Sequence, residues 1–78
     1  MNAMPERPTI KITEARQDGL NIYYRVFVDG VEKPSLVFVT APDRTAHGEV
    51  ALKEWCERNL YKLESGKEIE ANLSTAET

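Results

Sequence analysis

The sequence predicts an α+β domain: a three-stranded antiparallel sheet with one C-terminal helix packed on one face, and material for a short fourth strand at the C-terminus. Three observations predict it. Residues 9 to 40 are rich in β-branched and aromatic residues around two Asp-Gly turn signals, Asp18-Gly19 and Asp29-Gly30. Residues 43 to 64 place apolar side chains at helical spacing. Glu68 to Leu73 then returns to alternation through Ile69, Ala71 and Leu73.

Taken in order, residues 1–8 contain Pro5 and Pro8 and read as a flexible leader. Thr9 to Glu14 alternates Ile10 and Ile12 with polar neighbours, a short strand. After the Asp18-Gly19 turn, Leu20 to Val28 forms the second strand, and Asp29-Gly30 follows directly, as in a tight hairpin. The return strand is Ser35 to Thr40, with Pro34 at its start, where a missing N–H is tolerated. Pro42-Asp43 breaks the strand pattern, and Asp43 or Thr45 caps a continuous helix ending near Glu64, before Ser65-Gly66. On that helix Leu52, Trp55, Cys56, Asn59 and Leu63 form one stripe, with Gly48 allowing its first turn to approach the sheet closely. The core domain is 9–66; residues 67–78 are an arm or short strand with a disordered end.

Chain length bounds what this domain can cover. At 78 residues it is a single small domain with a modest core. A two-residue turn at Asp29-Gly30 sets Val28 opposite Val31, Ile22 opposite Val37 and Tyr23 opposite Leu36. One sheet face then carries Leu20, Ile22, Tyr24, Val26, Val28, Val37 and Val39, suited to the helix stripe. The other carries Asn21, Tyr23, Arg25, Phe27, Leu36 and Phe38. One helix covers one face, so the second needs another cover: the C-terminal arm through Ile69 and Leu73, a second copy, or a foreign partner.

Several chemistries lack the residues they need. Cys56 is the sole cysteine and His47 the sole histidine, which leaves no disulfide within the chain and no four-ligand zinc site. On one helix they would lie roughly 13.5 Å apart along the axis and half a turn apart in azimuth, too far for a nucleophile–base dyad. The acidic pairs Glu54/Glu57 and Glu68/Glu70 have no enclosed pocket to raise one pKa. No Gly-rich phosphate loop or calcium-loop spacing occurs. The expectation is a chain that is no enzyme, with no metal and no cofactor. The first ten residues hold two prolines, a Glu and an Arg instead of an apolar signal run, and no stretch approaches a membrane span, so the expected compartment is the cytoplasm.

Charge is unevenly placed. Residues 1–42 are neutral, whereas residues 43–78 carry eight acids against five bases and hold the entire net charge of -3. An acidic half disfavours phosphate backbones and favours a basic partner. The aromatic and basic run Tyr23-Tyr24-Arg25-Val26-Phe27 nevertheless has the composition of a base-stacking platform.

The order Y-Y-R-V-F-V-D-G, L-V-F-V-T, then A-L-K-E-W resembles the N-terminal arm-binding domain of tyrosine-type phage integrases over about residues 9 to 64. That resemblance implies a three-stranded sheet laid on DNA, with Tyr23, Arg25 and Lys33 as the contacts. In size and charge the chain also resembles small phage-encoded inhibitors of host nucleases and CRISPR complexes. The leading expectation is a protein-binding module, in its most concrete form a mobile-element inhibitor of a basic, nucleic-acid-handling host protein. It would use Tyr23, Arg25, Phe27, Leu36 and Phe38, helped by Glu54 and Glu57. The alternatives are a DNA-binding module using the same face and a homodimer.

Overall fold

The computed structural model describes residues 7–73. Three antiparallel strands come first: β1 (Ile10–Asp18), β2 (Asn21–Val28) and β3 (Val31–Thr40). Asp29 and Gly30 both have positive φ, 51° and 84°, the twist that a two-residue hairpin turn requires and that Asp-Gly supplies. Val28 pairs with Val31 as expected, but Ile22 pairs with Val39 and Tyr23 with Phe38. Between the pairs Phe27–Glu32 and Arg25–Leu36, β2 runs through Val26 alone while β3 runs through Lys33, Pro34 and Ser35. Pro34 therefore sits inside β3, at a bulge where its missing donor leaves no gap in the ladder. The register moves by two residues, which preserves the facing of every side chain beyond it.

β1 extends four residues past the expected Glu14 because a bulge at Ala15 realigns the ladder, from Glu14 opposite Tyr24 to Arg16 opposite Tyr23. This one-residue shift exchanges faces. Ile10, Ile12 and Glu14 share a face with Tyr24, Val26 and Val28, while Arg16 joins Lys11 and Thr13 on the face of Tyr23, Arg25 and Phe27. Leu20, expected beneath the helix, instead occupies the β1–β2 turn and is 67% exposed.

The expected continuous helix is three pieces: α1 (Ala41–Ala46), α2 (Glu49–Arg58) and α3 (Leu60–Leu63). It begins earlier than expected. Thr40, not Asp43 or Thr45, is the cap, its Oγ1 accepting from the Asp43 N–H at 3.3 Å, and Pro42 lies in the first turn, where its lost donor is free of cost. Gly48 separates α1 from α2 with φ 25° and ψ 177°. A Cβ there would meet nothing within 4 Å, so backbone angle, and not close approach to the sheet, is what glycine supplies. Asn59 ends α2 by donating from Nδ2 to the Trp55 carbonyl at 2.8 Å.

Leu52, Trp55 and Cys56 of α2 and Leu63 of α3 pack on Ile10, Tyr24, Val26, Val37 and Val39, which makes this the dry face of the sheet. β4 (Ile69–Glu70) lies parallel to β3, pairing Ile69 with Val37 and Glu70 with Phe38, and Ala71 N–H donates to the Phe38 carbonyl at 2.8 Å. Sheet order is β1-β2-β3-β4. Ala71 and Leu73 are buried in the helix-side core, so the arm closes the near face and leaves the far one. The expected disordered end, 74–78, lies outside the described residues, as does most of the leader. No helix among the described residues is long and apolar enough to cross a membrane.

Candidate docking surface on the second sheet face

The helix face is braced by specific polar contacts. Tyr24 Oη accepts from Arg44 Nε at 3.0 Å, tying α1 to β2. Ser35, the one buried polar residue among those described, accepts from the Gly66 N–H at 2.9 Å and lies within 3.4 Å of the Lys62 carbonyl and 3.2 Å of Ser65 Oγ. It fastens the end of α3 to the β3 bulge. Cys56 is fully buried, and burial pushes its thiol up to about 12, which makes it a packing residue and a poor nucleophile.

The opposite face carries Lys11, Thr13 and Arg16 from β1, Tyr23, Arg25 and Phe27 from β2, and Glu32, Leu36 and Phe38 from β3, with Glu70 at the β4 edge. No described helix or strand packs over it. Its two ends nonetheless differ. At the end near the β1–β2 turn, the Tyr23 and Phe38 rings meet at 5.0 Å between centroids, and the Arg16 guanidinium lies 3.9 Å above the Tyr23 ring. Arg16 also donates to Glu68, just before β4, at 2.9 Å. Arg16 from one edge and Glu68 from the other thus cross the sheet over this aromatic pair, and Tyr23 is only 7% exposed.

The hairpin end is open. Phe27 and Leu36 are half-buried, as is Phe38 at the other end beside Tyr23, Arg25 is exposed, and Arg25 approaches Glu32 only to 3.7 Å. A groove of about 600 Å³ runs here between Thr9, Lys11, Thr13, Phe27, Asp29 and Gly30. Lys11 makes no ion pair among the described residues. Protein-family models, curated proteins and solved structures yield no match to this chain. Its surface chemistry is therefore read from its own geometry.

The expected site residues divide into three groups. Arg25, Phe27, Leu36 and Phe38 share the second face, with Phe38 bordering the covered end. Tyr23 shares the face but is withdrawn under Arg16, so it supports the surface instead of forming it. Glu54 and Glu57 are not part of it: α2 packs on the other face, where both line a smaller groove of about 300 Å³ with Arg7, Pro8, Ile10, Val50 and Lys53. Glu57 is already engaged by Arg7 through two hydrogen bonds, 2.9 and 2.7 Å, and these hold its carboxyl below the usual carboxylate range. That bidentate contact also pins the end of the expected flexible leader. Lys33 points to the helix side, 2.6 Å from Glu64, and so stands apart from Arg25.

The uneven charge of the sequence acquires a structural meaning here. Glu57, Glu64 and Glu68 of the acidic half pair with Arg7, Lys33 and Arg16 of the neutral half. Much of the imbalance is internal complementarity. Sequence reading missed Arg16, because the alternation through Ile10, Ile12 and Glu14 assigns it to the helix side. The Ala15 bulge reverses that assignment, and no residue near Ala15 signals a bulge.

Proposed function

We propose that this chain is a small non-enzymatic protein-binding module that meets its partner with the hairpin end of the second sheet face. The observation that carries the proposal is the unequal treatment of one surface: Tyr23 is covered from within, whereas Phe27, Leu36 and Phe38 stay half-buried, Arg25 is exposed, and Phe27 lines an open groove. Aromatic residues and arginine are the residue types enriched at interface hot spots. A mobile-element inhibitor, the form suggested by size and charge, is compatible with such a module. For a basic partner the acids at hand are exposed Glu54 and, at the open end, Asp29 and Glu32, since Glu57, Glu64 and Glu68 are internally paired.

The test is a Phe27→Thr/Leu36→Thr variant, in which threonine keeps strand propensity while the apolar contact is removed. The variant should stay folded and lose partners that the parent chain retains from a lysate. Retention of the same partners would reject the surface.

One observation favours a second reading, nucleic-acid binding: Lys11, Arg16 and Arg25 all lie on the face that also holds Phe27. Against it, Arg16 and Arg25 have Glu68 and Glu32 as neighbours, and Lys33 is turned away. Binding of duplex DNA at low salt, weakening steeply as salt rises, would favour that reading. Absence of any gel shift with micromolar protein would remove it.

A further inference from the structure

We infer that the free edge of β1 takes an extended, acidic segment of the partner protein as an added strand. The inference rests on the protein-binding reading above and specifies its chemistry. β1 is the terminal strand of the sheet, and among the described residues Ile10–Asp18 makes no backbone hydrogen bond outside its ladder with β2. An edge of this length is a template for strand addition. Side chains of an added strand alternate between the two faces, about 6.8 Å apart on each. Both grooves flank this edge. The one on the open face contains Lys11 and Thr13, with Asp29 at its hairpin end, and the one on the helix side contains Ile10 beside Val50, which is 68% exposed, with Glu54, Lys53 and the paired Arg7 and Glu57 around them.

Charge selects the occupant. On the open face β1 presents Lys11, Thr13 and Arg16, followed by Asp18 beside Arg16, so the cation left without an acidic neighbour on this strand is Lys11, next to the Thr13 hydroxyl. Arg16 is held flat on the Tyr23 ring and already binds one carboxylate, that of Glu68, through a single N–H at 2.9 Å. A stacked guanidinium with donors to spare is suited to a second carboxylate. On the helix side Ile10 and Val50 offer apolar contact. The complementary strand alternates acidic with aliphatic residues.

The probe is a short capped peptide alternating Val and Glu, with an alternating Val and Lys peptide and a single-stranded oligonucleotide as controls, read by amide NMR of the full chain. The Val/Glu peptide should shift and protect β1 amides, and Lys11→Glu/Arg16→Glu should weaken it roughly ten-fold, from two cross-strand pairs reversed in sign. That variant must retain native exchange protection in β2 and β3. A Lys11→Gln/Arg16→Gln variant gives the same reading without charge reversal.

Shifts confined to Phe27 and Leu36, with β1 amides unchanged, would overturn strand addition and leave the docking face standing. Equal binding of the Val/Lys peptide would overturn the acidic assignment. Tighter binding of the oligonucleotide would overturn the protein-binding reading itself. Broadening of β1 resonances with protein concentration alone would assign the edge to a second copy, and no response at millimolar peptide would reject the inference.

Discussion

The two faces of this sheet differ in composition, one mainly aliphatic and one mixing aromatic with charged residues, and only the first is covered by other elements. On the helix side, Leu52, Trp55, Cys56 and Leu63 interlock with Val26, Val37 and Val39, and Ser35 and Tyr24 each satisfy a polar contact that locks an element in place. On the far side, the cover is one ion pair, with Arg16 and Glu68 side chains 46% and 48% exposed. Solvent screens an exposed pair of this kind, so it adds little to stability. Fold energy is concentrated on one face, and no described element packs over the other.

Truncation of the core breaks the comparison hardest. Leu52→Ala should cost about 2–5 kcal/mol in denaturant unfolding, enough to populate unfolded chains in a domain this small. On the far face, Phe27→Ala should cost clearly less, since that ring is only half-buried. Equal costs would mean that the open end is core. Next in size, Ser35→Ala should cost about 0.5–1.5 kcal/mol, the net worth of the hydrogen bond lost from the exposed Gly66 N–H. Hydrogen exchange at Gly66 should accelerate more than at the strands.

Smaller still, Glu68→Gln should change stability little while raising the accessibility of Tyr23, read by tyrosine chemical modification. Unchanged accessibility would show that the Tyr23–Phe38 pair closes that end without help. The smallest effect concerns acid. The Glu57 carboxyl sits below its ordinary value of 4.5 in the fold, so its pairing with Arg7 stabilises above that pH and is lost as pH falls through the lower folded value. Glu57→Gln should flatten that part of the acid limb and leave neutral and alkaline behaviour unaltered.

Strand identity and facing were legible because period-two alternation and the Asp29-Gly30 turn are local signals, and a two-residue slip at Pro34 leaves facing intact. The helical stripe was equally legible through Leu52, Trp55, Cys56 and Leu63. Its division was not, since Gly48 acts through a backbone angle that spacing does not encode. Arg16 escaped for the opposite reason: a single extra residue at Ala15 reversed its side, and its partner Glu68 lies 52 residues away. Tyr23 is readable as a face residue but not as a buried one, because the Arg16 that lies over it reaches that face only through the Ala15 bulge. Ser35 has no sequence signal, as its role arises only where the bulge meets the end of α3.

The most direct test is a paired measurement on Phe27→Thr/Leu36→Thr: unfolding free energy, and the set of proteins retained from a lysate beside the parent chain. A variant that stays folded, with a stability loss clearly smaller than that of Leu52→Ala, together with loss of the retained partners is the predicted result. An undiminished partner set on a stable variant, or collapse of the fold, would mean that these side chains serve something other than docking.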